Sequence, residues 1–429
     1  MPDGSATAHF FRPKLYTVLS DGYGMDSLRR DSIAALTVAI VALPLSMAIA
    51  VASGVGPDRG LYTAIVGGCL VSALSGSRYQ IGGPAGAFIV LVSATVGRFG
   101  VEGLLTTVML SGVMLTLAGL ARVGRLIRYI PHAVTVGFTC GIAATILASQ
   151  LKDFGGLALS GEEPGPFFPK LAALGAALGA ANGYAVAIGI GCVVLIFALR
   201  AARPTWPGML IAVALASIAA FALKLHIETI GSHFGSIPNH LPMPSMPWHD
   251  VPLMIAVLPT ALSFTLLGGI ESLLSAKVAD GMTGRKHRYN MELVGQGVAN
   301  VASAFFGGIS VTGAIARTAT NVRAGARSPF SGILHSLFLL AFMMLAAPLA
   351  RFIPLSALAG VLVVVSWNMA EKEEFARLLR DWRSGVVLLA TFGLTLVVDL
   401  TTGIVAGCVL AAVFALAGHE VAPEDSGPA

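Results

Sequence analysis

Charged residues are scarce in this chain of 429 residues: Asp, Glu, Lys and Arg together make up 11%, whereas apolar residues make up 55%. A soluble protein of this size could not cover its surface with so few charges, which excludes an ordinary globular domain. The apolar residues instead occur in runs that approach the roughly 17–25 residues an α-helix needs to cross a bilayer. The sequence therefore predicts an all-α polytopic membrane protein.

The sequence also lacks the motifs of nucleotide hydrolysis and of hydrolytic enzymes. No Gly-Lys dipeptide occurs, which excludes a P-loop for ATP, and neither G-x-S-x-G nor H-E-x-x-H is found. The connectors between the apolar runs are too short to hold a catalytic domain. We therefore expect no enzymatic activity and no cofactor, and an ion gradient would have to drive any uphill movement of solute.

Metal-ligand spacing is missing too. No C-x-x-C motif occurs, and all four cysteines lie inside apolar runs, which is typical of small core residues rather than of ligands or disulfide partners. They are Cys69, Cys140, Cys192 and Cys408. We therefore expect neither a structural metal nor a disulfide.

About fourteen apolar spans follow one another along the chain. They are 33–53, 60–76, 85–98, 103–121, 131–151, 183–200, 206–223, 252–276, 290–306, 311–323, 328–350, 354–370, 384–398 and 401–418. Spans 85–98 and 311–323 are too short to cross a bilayer alone and are rich in Gly, Ala and Thr. Residues 171–182 predict a short interfacial helix.

Basic residues are distributed unevenly among the connectors. With the N-terminus inside, most of the 27 Lys and Arg residues fall on the cytoplasmic side, as the positive-inside rule requires. The net charge of +5 therefore reflects membrane orientation and not nucleic-acid binding. We predict a multi-pass protein of the plasma (inner) membrane with both termini cytoplasmic: an N-terminal segment at 1–30 and a tail at 419–429.

Three short motifs recur in the same order in the two halves of the chain. The matching pairs are Leu-Pro at 43–44 and 258–259, Gly-Gly at 82–83 and 307–308, and R-[FY]-I-P-x5-G at 128–137 and 351–360. Counting spans puts the first Arg-Ile-Pro motif inside and the second outside. The halves, 31–223 and 252–418, are therefore predicted to be inverted repeats of seven spans each, joined by an extracytoplasmic loop at 224–251.

Each Gly-Gly pair precedes one of the short spans. Inverted repeats with broken helices put the binding site of many secondary transporters near the bilayer midplane. The start of a helix offers unpaired N–H groups and about half a positive charge, which favours an anion. We predict two half-helices that meet near the midplane, with starts near 84–88 and 311–315. In the alternative interpretation, the four glycines only permit close helix packing.

Two ionisable residues fall inside predicted spans, where a charge costs about 2.5–3.5 kcal/mol. Arg317 and Glu271 should therefore face a cavity or each other. In the functional interpretation, Arg317 is a fixed positive charge behind the anion and Glu271 is a carboxylate that responds to protons or cations. The alternative is a structural ion pair.

Three polar residues of span 290–306 share one helix face, at positions i, i+4 and i+8. They are Glu292, Gln296 and Asn300. We interpret them as interhelical hydrogen-bonding residues rather than ligand contacts.

Several stretches resemble the SulP family of sulfate-permease-like anion transporters. They are ALPLSMAIAVASGVGPDRGLYTAI (42–65), SGSRYQIGGPAGAF (75–88), YIPHAVTVGFTCGIA (129–143), SQLKDFGGL (149–157) and the segment 268–326, which begins GGIESLLSAKVADG. The resemblance runs from about 25 to 418. It implies a seven-plus-seven inverted repeat and a homodimer. It further implies an elevator in which a core domain (31–122 and 252–350) slides against a gate domain (129–223 and 351–418).

The resemblance also implies where the substrate binds. Carried onto this chain, the family's substrate contacts are Ala85, Gly86, Ala87, Phe88, Ala314, Ile315, Ala316 and Arg317. Glu271 is the ion-coupling residue that it implies. Leu45 stands where many members carry Gln, which leaves the substrate open.

The resemblance also bears on which ion drives transport and on whether a STAS domain is present. Members that couple bicarbonate to sodium look as though they use an aspartate and a nearby threonine. Glu271 and Ile315 in this chain favour protons over sodium. We expect the membrane domain without the STAS domain that follows it in many members.

The expected function is secondary active transport of a small anion (sulfate, bicarbonate or a C4-dicarboxylate) by proton-coupled symport. An anion exchanger, a channel-like anion conductor and a nucleobase-type permease on the same fold remain as alternatives. Arg317 and the GGPAGA stretch favour an anion over a neutral base.

Overall fold

A computed structural model describes residues 11–124, 131–159, 164, 166–204, 206–247, 251–398 and 400–416. In the first half, the helices are α1 (Lys14–Ser20), α2 (Met25–Ala52), α3 (Pro57–Tyr62), α4 (Gly68–Leu74), α5 (Ile89–Leu120), α6 (His132–Gly155), α7 (Phe167–Ala176), α8 (Gly183–Ala202), α9 (Gly208–Ala222) and α10 (Ile230–Phe234). In the second half, they are α11 (Val251–Thr283), α12 (Tyr289–Phe305), α13 (Ile315–Arg323), α14 (Phe330–Ala350), α15 (Leu355–Met369), α16 (Lys372–Leu378), α17 (Trp382–Val397) and α18 (Leu400–Leu416).

Seven helical segments of the described ranges are long and apolar enough to cross a membrane. They are α2, the segment Gly86–Leu120, α6, α8, α11, α14, and α15 together with α16. Helices α9, α17 and α18 are apolar but shorter. Helical structure is thus found at every predicted span, whereas the count of fourteen crossings stays a prediction. Residues 128–130 of the first repeat motif, residues 1–10 and the tail 419–429 lie outside the described residues.

Two predicted spans differ from simple helices. Span 60–76 consists of α3, a π-helical turn over Thr63–Gly67, and α4. Spans 85–98 and 103–121 join into α5, which is interrupted at Gly100, where φ is 69° and ψ is −175°. A side chain with a Cβ strongly disfavours such a backbone, so glycine permits the break. The first short span is therefore a half-helix that leads through a bend into the next helix.

Two strands of two residues connect the halves of the chain. Strand β1 (Gly82–Gly83) pairs antiparallel with β2 (Thr312–Gly313), with Gly82 opposite Gly313 and Gly83 opposite Thr312. β1 leads into a 3-10 turn at Gly86–Phe88 and then into α5, while β2 leads directly into α13. The starts of the two broken helices are thus held side by side through backbone hydrogen bonds.

The helices pack in two sets. In one set, α5 packs against α11 and α12, and α2 packs against α14; in the other, α6 packs against α15 and α17, and α8 packs against α15. Small residues permit the second set to pack closely. A Cβ at Gly137 of α6 would lie 2.6 Å from the Leu388 carbonyl oxygen, and one at Gly407 of α18 would lie 2.1 Å from Thr391 Oγ1. Helices α6 and α18 therefore approach α17 as closely as backbones allow.

Candidate anion-binding site

Arg317 lies in the first turn of α13, directly after β2, and only 2% of the residue is exposed. Its Nη2 donates to Ser46 Oγ at 3.1 Å and to the Pro84 carbonyl oxygen at 3.4 Å. Its Nε and Nη1 have no hydrogen-bond partner among the described residues. Because a buried, incompletely paired guanidinium is costly, this arrangement is suited to an anion beside Arg317.

Glycine at position 83 makes room for this guanidinium. A Cβ at Gly83 would lie 2.1 Å from Arg317 Nη1, well inside van der Waals contact. A Cβ at Gly82 would instead meet Val71 Cβ at 2.7 Å, and one at Gly308 would meet Ser303 Oγ at 2.4 Å. Gly82 and Gly308 thus permit close packing around the two breaks, whereas Gly83 shapes the surroundings of Arg317.

Hydrogen bonds tie the first break, residues 79–84, to α13. The Ile81 amide donates to Thr318 Oγ1 at 3.2 Å, and the Ala314 amide donates to the Ile81 carbonyl oxygen at 3.0 Å. One turn further along α13, Asn321 Nδ2 donates to the Tyr79 carbonyl oxygen at 2.9 Å. The first break and the second half-helix therefore form one hydrogen-bonded unit.

Helix α12 holds the second break. Asn300 Nδ2 donates to the Val311 carbonyl oxygen at 2.8 Å, and the Val311 amide donates to Asn300 Oδ1 at 3.0 Å. Gln296 Nε2 donates to the same carbonyl oxygen, and Gln296 Oε1 accepts from Ser272 Oγ of α11 at 3.1 Å. The predicted interhelical hydrogen bonding is confirmed for Gln296, which reaches α11, whereas Asn300 bonds to the backbone of the break and not to another helix. Glu292, the third residue of that face, is fully buried.

The predicted substrate contacts of the first half-helix lie mostly in the protein interior. Ala85, Ala87 and Phe88 are buried, Gly86 is half-buried, and the ring of Phe88 packs edge-on against Phe264 with a centroid distance of 5.3 Å. The side chain of Phe88 thus belongs to the core. Residues 85–88 would therefore contact a ligand through backbone groups and not through side chains.

The second half-helix is more open. Ala314 is buried, but Ile315 is 38% exposed and Ala316 is exposed. The two half-helices therefore surround Arg317 unequally, with a closed face at residues 85–88 and an accessible one at 315–316.

Glu271 lies on α11 and is half-buried, with no hydrogen-bond partner for its Oε2 among the described residues. It forms no ion pair with Arg317, although both residues are described. The predicted alternative of a structural ion pair is therefore wrong.

Sequence reasoning missed Ser46, which contacts the guanidinium from α2. A hydroxyl two residues after a helix-interior proline, inside the apolar run 33–53, was the available signal. In the described parts of the chain, no group of three or more His, Cys, Asp or Glu residues is placed to hold a metal ion.

The fold and the site together define a polytopic membrane protein with a partly unpaired, buried guanidinium between two helix starts. The sequence profile described as "Sulfate permease family" matches residues 28–391, and the chain belongs to this family. It is therefore a membrane anion transporter rather than an enzyme.

Relatives with known names agree with this assignment. The chain is 43% identical over 395 residues to YvdB of Bacillus subtilis strain 168, named as a candidate sulfate transporter, covering 92% of this chain and 74% of YvdB. It is 30% identical over 409 residues to the bicarbonate transporter BicA of Picosynechococcus sp., covering 91% of this chain and 70% of BicA.

Solved structures share the fold. The transmembrane domain of a cyanobacterial bicarbonate transporter, BicA, superposes with a TM-score of 0.78 at 27% identity, covering 91% of this chain and 98% of that domain. Murine Slc26a9, an anion transporter solved in the inward-facing state, gives a TM-score of 0.86 at 18% identity, covering 97% of this chain and 73% of that one. The second likeness bears on the fold alone.

Proposed function

We propose that this protein is a secondary active transporter of a small anion, with sulfate, bicarbonate and C4-dicarboxylates as candidate substrates. The observation that carries the proposal is the buried Arg317 guanidinium, whose Nε and Nη1 have no partner among the described residues. The names of the relatives, as sulfate and bicarbonate transporters, support the first two substrates.

The substrate would bind between the starts of α5 and α13. Backbone N–H groups of residues 85–87 and 315–317 would face the anion, since the amides of Phe88 and Ala314 already donate to the carbonyl oxygens of Ala85 and Ile81. Arg317 would supply the charge behind the anion. A partly buried helix start contributes up to about 2 kcal/mol to the binding of an anion. Two helix starts and one guanidinium can therefore bind a small anion without further charged side chains. The antiparallel pairing of β1 with β2 supports this arrangement because it joins the two starts.

The transport cycle would be of the elevator type. The proposed core domain, residues 31–122 and 252–350, contains both helix starts, and the proposed gate domain is formed by 129–223 and 351–418. The two packing sets of helices support this division, since the strongest packing occurs within each set. Sliding of the core against the gate would carry Arg317 and the anion from one side of the membrane to the other.

The topology proposed for this cycle is a seven-plus-seven inverted repeat with both termini cytoplasmic, assembled as a homodimer. Inversion of one half relative to the other is expected to bring equivalent segments together antiparallel. The antiparallel pairing of residues 82–83 with 312–313, each of which leads towards a helix start, supports that topology, although the Gly-Gly pair of the second half, 307–308, lies before the paired strand.

Coupling to protons is assigned to Glu271. Its half-buried carboxylate lies on α11, which packs against both α13 and the residues of β2. A charged group inside a membrane span needs a partner, and among the described residues no ion pair to Glu271 occurs, so a transported proton is the natural partner for it.

Reconstitution in proteoliposomes tests the proposal. Uptake of labelled sulfate, bicarbonate and fumarate is measured with and without an inward pH gradient. We expect saturable uptake of at least one anion, stimulated by the gradient. Uptake of uracil without uptake of any anion would instead select the permease alternative.

The role of the guanidinium is tested with a matched pair of variants on one helix. Arg317→Gln should abolish saturable anion uptake, whereas Arg323→Gln, which removes the same charge from an exposed position of α13, should leave it intact. Equal losses in the two variants, or normal uptake by Arg317→Gln, would contradict the proposed site.

A further inference from the structure

A second concentration of positive charge, which does not include Arg317, lies at the ends of α4, α11 and α12. The Lys14 amide of α1 donates to the Ser75 carbonyl oxygen at 3.1 Å, and the Arg288 amide donates to the adjacent Gly76 carbonyl oxygen at 3.0 Å. Arg78 follows two residues later. Three segments distant in sequence thus converge on one short turn, each contributing a cation.

The side chains reinforce this convergence. Arg288 Nη1 donates to the Arg12 carbonyl oxygen at 2.6 Å and to Thr17 Oγ1 of α1 at 3.0 Å. We call the cations gathered here the basic cluster. It consists of Arg12, Lys14, Arg78, Arg285 and Arg288.

Three carboxylates near the basic cluster only partly offset it: Asp21, Asp280 and the fully buried Glu292, which faces the turn of residues 75–77. Asp21 Oδ2 accepts from Arg78 Nη2 at 3.1 Å. Asp280 Oδ2 accepts from the His287 amide at 2.9 Å and lies 2.7 Å from His287 Nδ1, so it is engaged by a residue outside the cluster. Among the described residues, cations therefore outnumber the carboxylates that act on them.

The excess of positive charge affects the ionisation of Lys14. Burial, together with Arg288, Arg78 and Arg285, lowers the pKa of Lys14 to about 8, and only Asp280 acts in the opposite direction. Like charges at short range disfavour the protonated amine. An anion bound among these side chains would reverse the effect, because it would favour the charged form.

Apolar side chains border the cluster on the same helix. Tyr16 and Leu19 of α1 are each 55% exposed, although the helix is docked against the ends of membrane helices. Arg12 lies over the Tyr16 ring, 5.2 Å from its centroid. Exposed Tyr and Leu beside Lys and Arg are typical of a segment at the boundary between lipid headgroups and acyl chains.

We propose that the basic cluster binds the phosphate group of an anionic phospholipid, whose acyl chains cover Tyr16 and Leu19, and that this lipid holds α1 against the end of the helix bundle. Groups of cations next to the end of a membrane helix attract anionic headgroups. The lipid source is favoured over free phosphate because the exposed apolar side chains adjoin the cations. The proposal is independent of which anion the protein transports.

Thermal unfolding of the full chain in neutral detergent tests the proposal. The protein is titrated at constant ionic strength with dioctanoyl phosphatidylglycerol, dioctanoyl phosphatidylcholine or sodium phosphate. We expect phosphatidylglycerol to raise the unfolding midpoint saturably and phosphatidylcholine to leave it unchanged. Sodium phosphate at the same concentrations should have a smaller effect. An equal effect of sodium phosphate would overturn the assignment to a lipid.

A matched pair of variants tests whether phosphatidylglycerol binds at the basic cluster. Lys14→Gln should raise the half-saturating concentration of phosphatidylglycerol about fivefold, the usual contribution of one cation near a membrane surface. Arg29→Gln removes an exposed positive charge from the start of α2, outside the basic cluster, and should change nothing. Identical half-saturation in both variants would overturn the site.

A pH series provides a test that does not depend on the folding of Lys14→Gln. Between pH 7 and pH 9 the free protein loses the charge of Lys14, so the half-saturating concentration for the wild type should rise. In Lys14→Arg the charge persists, and the concentration should stay constant. A wild-type titration that is flat across this range would also refute the proposal.

Discussion

Replacing Gly83 with alanine tests how the backbone shapes the anion site. The new Cβ would lie 2.1 Å from Nη1 and 3.2 Å from Cζ of Arg317, so the guanidinium would have to move by more than 1 Å to restore ordinary contact. Such a movement removes it from Ser46 Oγ and from the Pro84 carbonyl oxygen, which it now contacts at 3.1 and 3.4 Å. Gly83→Ala should therefore disturb binding without rearranging the fold.

The magnitude follows from the size of the clash. Inserting one methyl group into a packed interior costs about 1–3 kcal/mol, which corresponds to roughly a 5- to 150-fold change in affinity. We expect the KM for anion uptake to rise by that factor, with a smaller change in the thermal unfolding midpoint because the displaced group is the end of a flexible side chain.

The assay is initial-rate uptake in proteoliposomes over a range of substrate concentrations. Gly97→Ala is the matched control, since a Cβ at that position of α5 meets no atom within 4 Å. A Gly83→Ala protein with the KM of the wild type would refute the idea that Arg317 must lie against β1 to bind substrate.

Three other perturbations have defined outcomes. Glu271→Gln should retain downhill uptake but lose its stimulation by a pH gradient; continued stimulation would assign proton coupling elsewhere. Asn300→Ala should lower the thermal unfolding midpoint more than Val298→Ala, a control on the exposed face of α12. In Asn300→Ala the buried amide and carbonyl groups of Val311 lose their hydrogen-bond partner, which costs about 1–3 kcal/mol of stability for each group. Equal midpoints of the two variants would show that these bonds are dispensable. Asp381 caps α17, and its bonds from the Ser384 hydroxyl and amide lower the pKa of Asp381. Because that pKa is depressed in the folded state, the cap stabilises the protein above the unfolded-state pKa and is lost as pH falls through the folded one. The unfolding midpoint of Asp381→Ala should lie below that of the wild type at pH 7 by the equivalent of about 1 kcal/mol. The two midpoints should converge as pH falls through the lowered pKa of Asp381, and a constant difference would reject the mechanism.

The long helices were predictable because hydropathy and length carry their signal. The span predicted at 183–200 is the helix Gly183–Ala202, and that at 354–370 is Leu355–Met369. The short elements were predicted only as breaks. Strands of two residues have no periodicity, so the sequence predicted that the segments near 84–88 and 311–315 meet, but not that Gly82-Gly83 pairs with Thr312-Gly313.

The same limit applies to the site. Arg317 stands out in the sequence because a charge in a membrane span needs a reason. Its contact Ser46 lies 271 residues away, and an isolated serine in an apolar run gives no such signal. Whether Glu271 pairs with Arg317 depended on how α11 and α13 pack, which spacing along the chain does not determine.

The most direct test of the account is a structure of the protein with selenate, a heavy-atom analogue of sulfate, located by its anomalous scattering. We predict a selenium peak within hydrogen-bonding reach of Arg317 Nε or Nη1, between residues 85–88 and 314–317. A peak bound elsewhere in the helix bundle, with none beside Arg317, would contradict the central claim that this guanidinium and the two helix starts hold the transported anion.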